Sequence, residues 1–512
     1  MAAGTDHTWR GGHHREGLRQ SVEYLYAPYN YRTDAVESAG DSPHTVVGST
    51  EPVIPVVGSA VWGTQSPSGC GSPSSHRHDV GMHAAPDDAQ VGTGLAVGSD
   101  PERIAERACR AVLLRLGGAT PDLAVVSVSG PDADFAATAL RRMDLALAAR
   151  TCIGISSIGV LGAGRGVEER PAVSVWAARL PGARLRSFHL EVIRTESGVA
   201  VLGMPRRRDD DSAVLLLADP WSFPAEGFSA QSNVSLAGLP LIGGLGAGVD
   251  GPGSTRLLHD GRLHQRGAVG VMIGGRANVT TLVSQGCRPI GPPMTVTAAA
   301  GAVLETLAGR PALIKLQEVL AGLSDDEALL AARGLHLGVQ VDEYRDDPGH
   351  GDFLVRGFSG GDERSGTIVV QDAVEVGTTV QFHVRDAAAA TADLRRVLKR
   401  CSEESGIRNV AGALLLSGTG RGSSLFPTAD HDATIVASAL DAPVAGMFTG
   451  GEIAPVGGVN ALHGMAAAAL VVGVEPRNVA WGGADLIDDQ DDIETAGESL
   501  PVWPGARDPE TN

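Results

Sequence analysis

Two ionisable side chains, Glu452 and His463, stand in the glycine-rich segment GMFTGGEIAPVGGVNALHGMAAAALVV, residues 446–472. The carboxylate lies between Gly451 and Pro455, and the imidazole follows eleven positions on. Together they have the chemistry for proton exchange. With Asn460, they could instead grip an ammonium and a carboxylate group of one small ligand. The same residue types also serve as plain structure, with Glu452 tying down loop amides and His463 a satisfied, half-buried histidine. A second string, GTGRGSS at 418–424, carries Gly420, Arg421 and Gly422. Its amides can cradle an anion while Arg421 adds a two-pronged donor, or it is an ordinary turn with a surface arginine. No nucleophile accompanies either string. Ser417 and Thr449 lack a nucleophile elbow and GxSxG does not occur, so no catalytic residue is assigned.

These residues need elements to hold them. LLLSGTG leads through a helix-compatible stretch, 430–440, into the segment at 446–472. LAVVSVSG at 123–130 leads similarly to TCIGISSIGVLGAG, and VLLLADP at 214–220 to LPLIGGLGAGVDG. We read a threefold β-α-β-β repeat within a mixed α/β (α+β) fold of two domains, with largely antiparallel sheets flanked by helices. The expected divisions are a disordered stretch 1–90, an N-terminal-type domain 91–288, a C-terminal-type domain 289–473 and a disordered acidic tail 474–512. The proline-rich QGCRPIGPPM marks the boundary near 288. Ser99 to Glu102 and Ser324 to Glu327 read as capping boxes, and Asp260-Gly261 as a hairpin turn. A local ion pair is expected between Arg385 and Asp386.

Composition narrows the function. A net charge of −19 argues against a nucleic-acid footprint. Five scattered cysteines without CxxC spacing suit a reducing cytoplasm. No apolar run approaches the ~20 residues of a spanning helix. Histidines 7, 13, 14, 44, 76, 78 and 83 lack metal-site spacing, so no metal is expected. The string at 246–251 matches a dinucleotide fingerprint, but Pro252 and a hairpin follow where a helix should begin. Neither Lys315 nor Lys399 completes a Walker A loop, so no cofactor is expected.

Taken in order, GRGVEERPAVSVWAARLPGARLRSFHL, SQGCRPIGPP, DFLVRGFSGGDERSG, VQFHVRD, RGSSLF and GMFTGGEIAPVGGVNALHG resemble the FIST family, N-terminal and C-terminal domains together, over residues 91–473. The resemblance implies a sensory module of signal transduction that binds small ligands such as amino acids. Bacterial members of the family are fused to or beside kinases and chemoreceptors, and eukaryotic ones follow an F-box. This chain departs from that pattern. No F-box-like bundle is read before residue 91 and no kinase, receptor or cyclase segment is read in the sequence, so the expectation is that its output passes to a separate signalling protein. Gly418 replaces the cysteine often found ahead of the Arg-Gly step. The expectation is a cytoplasmic sensor without catalysis whose ligand meets Gly420, Arg421, Gly422, Gly451, Glu452, Asn460 and His463. A hydrolase-like enzyme using Glu452 and His463, and a protein-interaction scaffold, are the alternatives.

Overall fold

The computed structural model describes residues 88–195, 198–247, 251–343 and 352–475. The expected stretch before residue 88, the tail beyond 475 and the centre of the 246–251 string lie outside the described residues. Within them the fold is mixed α/β, with seven helices and twenty-six strands in four sheets.

Three sheets share one order. Each begins as a β-α-β crossover whose two strands pair in parallel: Leu123–Ser129 with Thr151–Ser156, Ala213–Ala218 with Leu241–Leu245, and Val410–Gly418 with Val444–Thr449. The helices between them are Ala133–Leu147, Ala225–Ser235 and His431–Leu440. A returning antiparallel strand then closes the other side of the first strand: Ala172–Arg179, Ala268–Gly275 and Ala467–Gly473. What the strand patterns do not reveal is the place of the hairpins. Hairpin 159–168 joins the third sheet beside Val444–Thr449, hairpin 257–264 joins the first beside Thr151–Ser156, and hairpin 451–463 joins the second beside Leu241–Leu245. Each sheet is thus completed by a hairpin from a different stretch of chain, and the expected boundary at 288 is crossed by both 159–168 and 451–463.

Burial follows from this exchange. The inner faces share one core, with Val125 and Trp176 from the first sheet, Leu215 and Val271 from the second, and Leu414 and Leu470 from the third. The close parallel pairing demands glycine where backbones touch. A Cβ on Gly446 would stand 1.7 Å from the Leu415 carbonyl oxygen, and one on Gly243 would stand 2.1 Å from that of Leu216. Helices cover the outer faces. Ala133–Leu147 and Pro101–Arg115 cover the first sheet, and Ala387–Glu404 with His431–Leu440 the third. The fourth sheet, built from residues 287–385, carries its own core with helices Ala312–Ala321 and Asp325–Arg333. The three prolines near 288 do not form a loop. They lie in strand Cys287–Ala300, whose pairing slips between Ile290 and Met294.

Local signals hold with two corrections. The Ser324–Glu327 capping box forms, and Asp260 and Gly261 take φ of 41° and 82° at the hairpin turn. Helix Pro101–Arg115 is capped by Asp100 rather than Ser99, because the Asp100 carboxylate reaches the amides of both Glu102 and Arg103 at 3.1 Å. Asp386 caps helix Ala387–Glu404 and pairs with Arg288 at 3.3 Å, not with its neighbour Arg385. Among the described residues no helix is long and apolar enough to cross a membrane.

Candidate functional site

Strand Val410–Gly418 ends in the turn that carries Gly420, Arg421 and Gly422. The arginine turns inward, although Ser423 and Ser424 of the same turn are exposed. Arg421 is 1% exposed, and its Nε and Nη2 donate to Asp432 Oδ2 and Oδ1 at 2.7 and 3.0 Å. Ser417 Oγ donates to Asp432 Oδ2 at 2.7 Å, and His431 Nδ1 lies 2.9 Å from Oδ1. Burial would raise the Asp432 carboxyl, but the Arg421 charge and the hydrogen bonds of His431, Arg421 and Ser417 hold it well below the usual carboxylate range. An ionised acceptor at that distance places a proton on His431 Nδ1. The His431 ring stacks on Phe426 at 3.4 Å, and its Nε2 meets Thr391 Oγ1 at 2.9 Å, which joins helix Ala387–Glu404 to the network. A Cβ at Gly422 would strike the Glu168 carboxylate, which accepts from the Ser423 amide at 2.9 Å and so pins the turn to hairpin 159–168.

Glu452 and His463 sit directly opposite in hairpin 451–463, yet their side chains bond to different partners. Glu452, fully buried, accepts from Thr449 Oγ1 at 2.6 Å and from the Ala466 amide at 2.7 Å. Burial raises its carboxyl to about 8, against the opposing pull of those donors and of Arg421. His463 donates from Nε2 to the Ala454 carbonyl at 3.0 Å, while its Nδ1 is buried without a hydrogen-bond partner. Burial lowers it to about 4, so the ring is neutral near pH 7. Asn460 is a staple. Its Nδ2 donates to Ser232 Oγ and the Leu239 carbonyl, and its Oδ1 accepts from the Leu241 amide at 2.9 Å. Gly451 packs between the side chains of Leu245 and Leu462. The structure therefore brings Arg421 and Glu452 into one electrostatic neighbourhood, and directs His463 and Asn460 elsewhere.

An open space lies nearby. A cleft of about 320 Å³ runs between strand Val279–Ser284, helix Ala387–Glu404 and Pro455–Val456–Gly457 at the tip of hairpin 451–463. The helix contributes Asp393, Arg396, Val397, Arg400, Cys401 and Glu404, one stripe at spacings of three and four. Arg396 pairs with Asp393, and Arg400 Nε lies 3.9 Å from Glu404 Oε1. Asp393 also accepts from Ser284 Oγ at 2.7 Å and from the Gly286 amide at 3.3 Å. A Cβ on Gly286 would stand 2.5 Å from Arg421 Nη1, so the cleft floor borders the buried network. None of the seven residues expected from sequence lines this cleft. The sequence reading singles out neither Arg396 nor Arg400. The signal that could have found them is a pair of arginines flanked by two acids, Asp393 and Glu404, along one stripe. Among the described residues no three His, Cys, Asp or Glu side chains are placed to hold a metal.

Comparison with known proteins gives two matches along the chain: a FIST N domain over residues 122–310 and a FIST C domain over 312–455. An uncharacterized protein of Mycobacterium tuberculosis H37Rv is 42% identical over 379 residues, which is 74% of this chain and 98% of the relative. An uncharacterized protein of Mycobacterium bovis is 39% identical over 379 residues, 74% of this chain and 97% of the relative.

Proposed function

Because this chain belongs to the FIST family, we propose that it is a sensor whose ligand is a small zwitterion of amino-acid type, held in the cleft between strand Val279–Ser284 and helix Ala387–Glu404. FIST domains are associated with sensing in signal transduction. One observation carries the ligand class: a single wall sets two arginines, Arg396 and Arg400, between two acids, Asp393 and Glu404, so that the charges balance one another. A carboxylate suits the two guanidinium groups and an ammonium the two acids, whereas an anion of high charge would meet Asp393 and Glu404.

The buried residues act beneath the ligand in this reading. A carboxylate that draws Arg396 from Asp393 disturbs the acceptor shared by Ser284 and Gly286, the second of which borders Arg421. Ligand binding then favours one arrangement of that network over another, the differential contact that sensing requires. Arg421, Gly420 and Gly422 would carry the change to the turn, and Glu452 to hairpin 451–463. The signal would pass to a separate protein. A cytoplasmic location accords with four cysteines that are free among the described residues.

The test is a thermal-stability screen of the full chain against the free amino acids. A ligand at a hundredfold excess over its Kd stabilises by about 2.7 kcal/mol. A rise in midpoint that disappears in Arg396→Ala and Arg400→Ala supports the assignment. A rise unchanged in both variants, or no rise with any amino acid, removes it.

A further inference from the structure

We infer that the cleft takes the main chain of a short extended peptide, which pairs with the open edge of strand Val279–Ser284; this rests on the cleft being the ligand site. The strand is the terminal member of its six-stranded sheet, bonded on one side to Ala467–Gly473. Among the described residues no strand pairs with its other side. Thr280, Thr281, Leu282 and Val283 all line the cleft. Side chains of consecutive strand residues alternate between faces, so four in a row reach one space through the strand's edge. The faces agree with this: Leu282 packs with Leu394 and Leu398 under the helix, and Val279 and Val283 pack against the inner core.

The register identifies the free groups. The Gly473 amide donates to the Asn278 carbonyl, so the main chain of residue 278 points toward Ala467–Gly473. By alternation Thr280, Leu282 and Ser284 point the same way, and the N–H and C=O of Val279, Thr281 and Val283 point outward. An unpaired row of this kind is a template for a further strand. Length favours a peptide over a single amino acid. Asp393 and Glu404 are eleven residues apart on a helix, roughly 16 Å of wall, while three extended residues span about 10 Å. A peptide would lay its backbone on the edge and offer its terminal carboxylate to Arg396 and Arg400 and its terminal ammonium to one of the flanking acids, Asp393 or Glu404.

The experiment is calorimetric titration of the full chain with tri-alanine, with tri-alanine methylated on its central amide nitrogen, and with free L-alanine. Tri-alanine is expected to bind at least about tenfold more tightly than alanine, and methylation to cost about tenfold, because a lost main-chain bond leaves its partner unpaired. Thr281→Pro, which removes one outward N–H and leaves the ladder to Ala467–Gly473 intact, is expected to weaken tri-alanine and spare alanine. Alanine binding as tightly as tri-alanine, or no effect of methylation, overturns strand pairing and leaves the amino-acid reading of the cleft in place. If neither alanine nor tri-alanine binds at millimolar concentration, strand pairing is overturned, while the amino-acid reading falls only if the thermal screen finds no amino acid that binds.

Discussion

The guanidinium of Arg421 grips the carboxylate of Asp432 through two hydrogen bonds, 2.7 and 3.0 Å long, with the Phe426 ring centroid 5.5 Å from the cation. Both partners are buried, and Ser417 and His431 supply the remaining donors to the acid. A cation matched this completely is part of the frame, and the proposed ligand groups lie one layer out, along helix Ala387–Glu404.

Breaking the pair has a defined cost. Arg421→Ala strands an ionised carboxylate in the core, and a loss of about 3–5 kcal/mol is expected in chemical denaturation. The double variant Arg421→Met with Asp432→Leu should recover most of that, since removing both charges leaves neither stranded. Equal losses in the single and double variants would show that packing, not charge, sets the cost.

Glu452 gives the fold a pH dependence of known sign. Its folded carboxyl is raised from 4.5 to about 8 by burial, so its contribution is fully present below the unfolded value and is lost as pH rises through about 8. Stability of the wild type should fall between pH 5 and 8 relative to Glu452→Gln, with a slope of at most ~1.4 kcal/mol per pH unit. The neutral amide can keep both contacts, accepting from Ala466 and donating to Thr449. Parallel stability curves for the two proteins would contradict the shift.

Gly418 has no room for a thiol. A Cβ there would stand 2.7 Å from Met465 Cα and 3.0 Å from Glu452 Oε1. Gly418→Cys is expected to cost about 1–3 kcal/mol by overpacking, measured by denaturant titration. A variant as stable as the wild type, with a titratable thiol, would show that the turn can open.

The exchanged hairpins tie the halves of the chain together. Residues 88–288 alone lack hairpin 451–463 beside Leu241–Leu245 and leave hairpin 159–168 without Val444–Thr449. That fragment should be insoluble or partly unfolded by circular dichroism, and coexpression with 289–475 should restore a folded complex. Independent cooperative unfolding of the fragment would contradict the interlock.

How much of this was legible follows the range of the interactions. The mixed fold, the Ser324 capping box and the Asp260-Gly261 turn are local and could be read, because their partners lie within a few residues. The partner of hairpin 451–463 lies more than two hundred residues away, and nothing in alternating apolar residues chooses it over a nearer strand. Arg421 drew attention as an arginine among glycines, and its acid, Asp432, stands eleven positions later at the start of a helix. Burial decided between an anion cradle and an internal pair, and burial is not written in a turn. The cleft is hidden for the opposite reason: its arginines have the periodicity of an ordinary wet helix face, and only the strand edge beside them, distant in sequence, encloses the space.

The most direct test of the central claim is hydrogen–deuterium exchange of the full chain, with and without saturating amount of whichever amino acid or tri-alanine raises the melting midpoint. The account predicts slower exchange concentrated in residues 279–284, 387–404 and 451–463, with little change in helices Pro101–Arg115 and Ala225–Ser235. Protection confined to those two helices, or spread evenly over the chain, would contradict a ligand seated against strand Val279–Ser284.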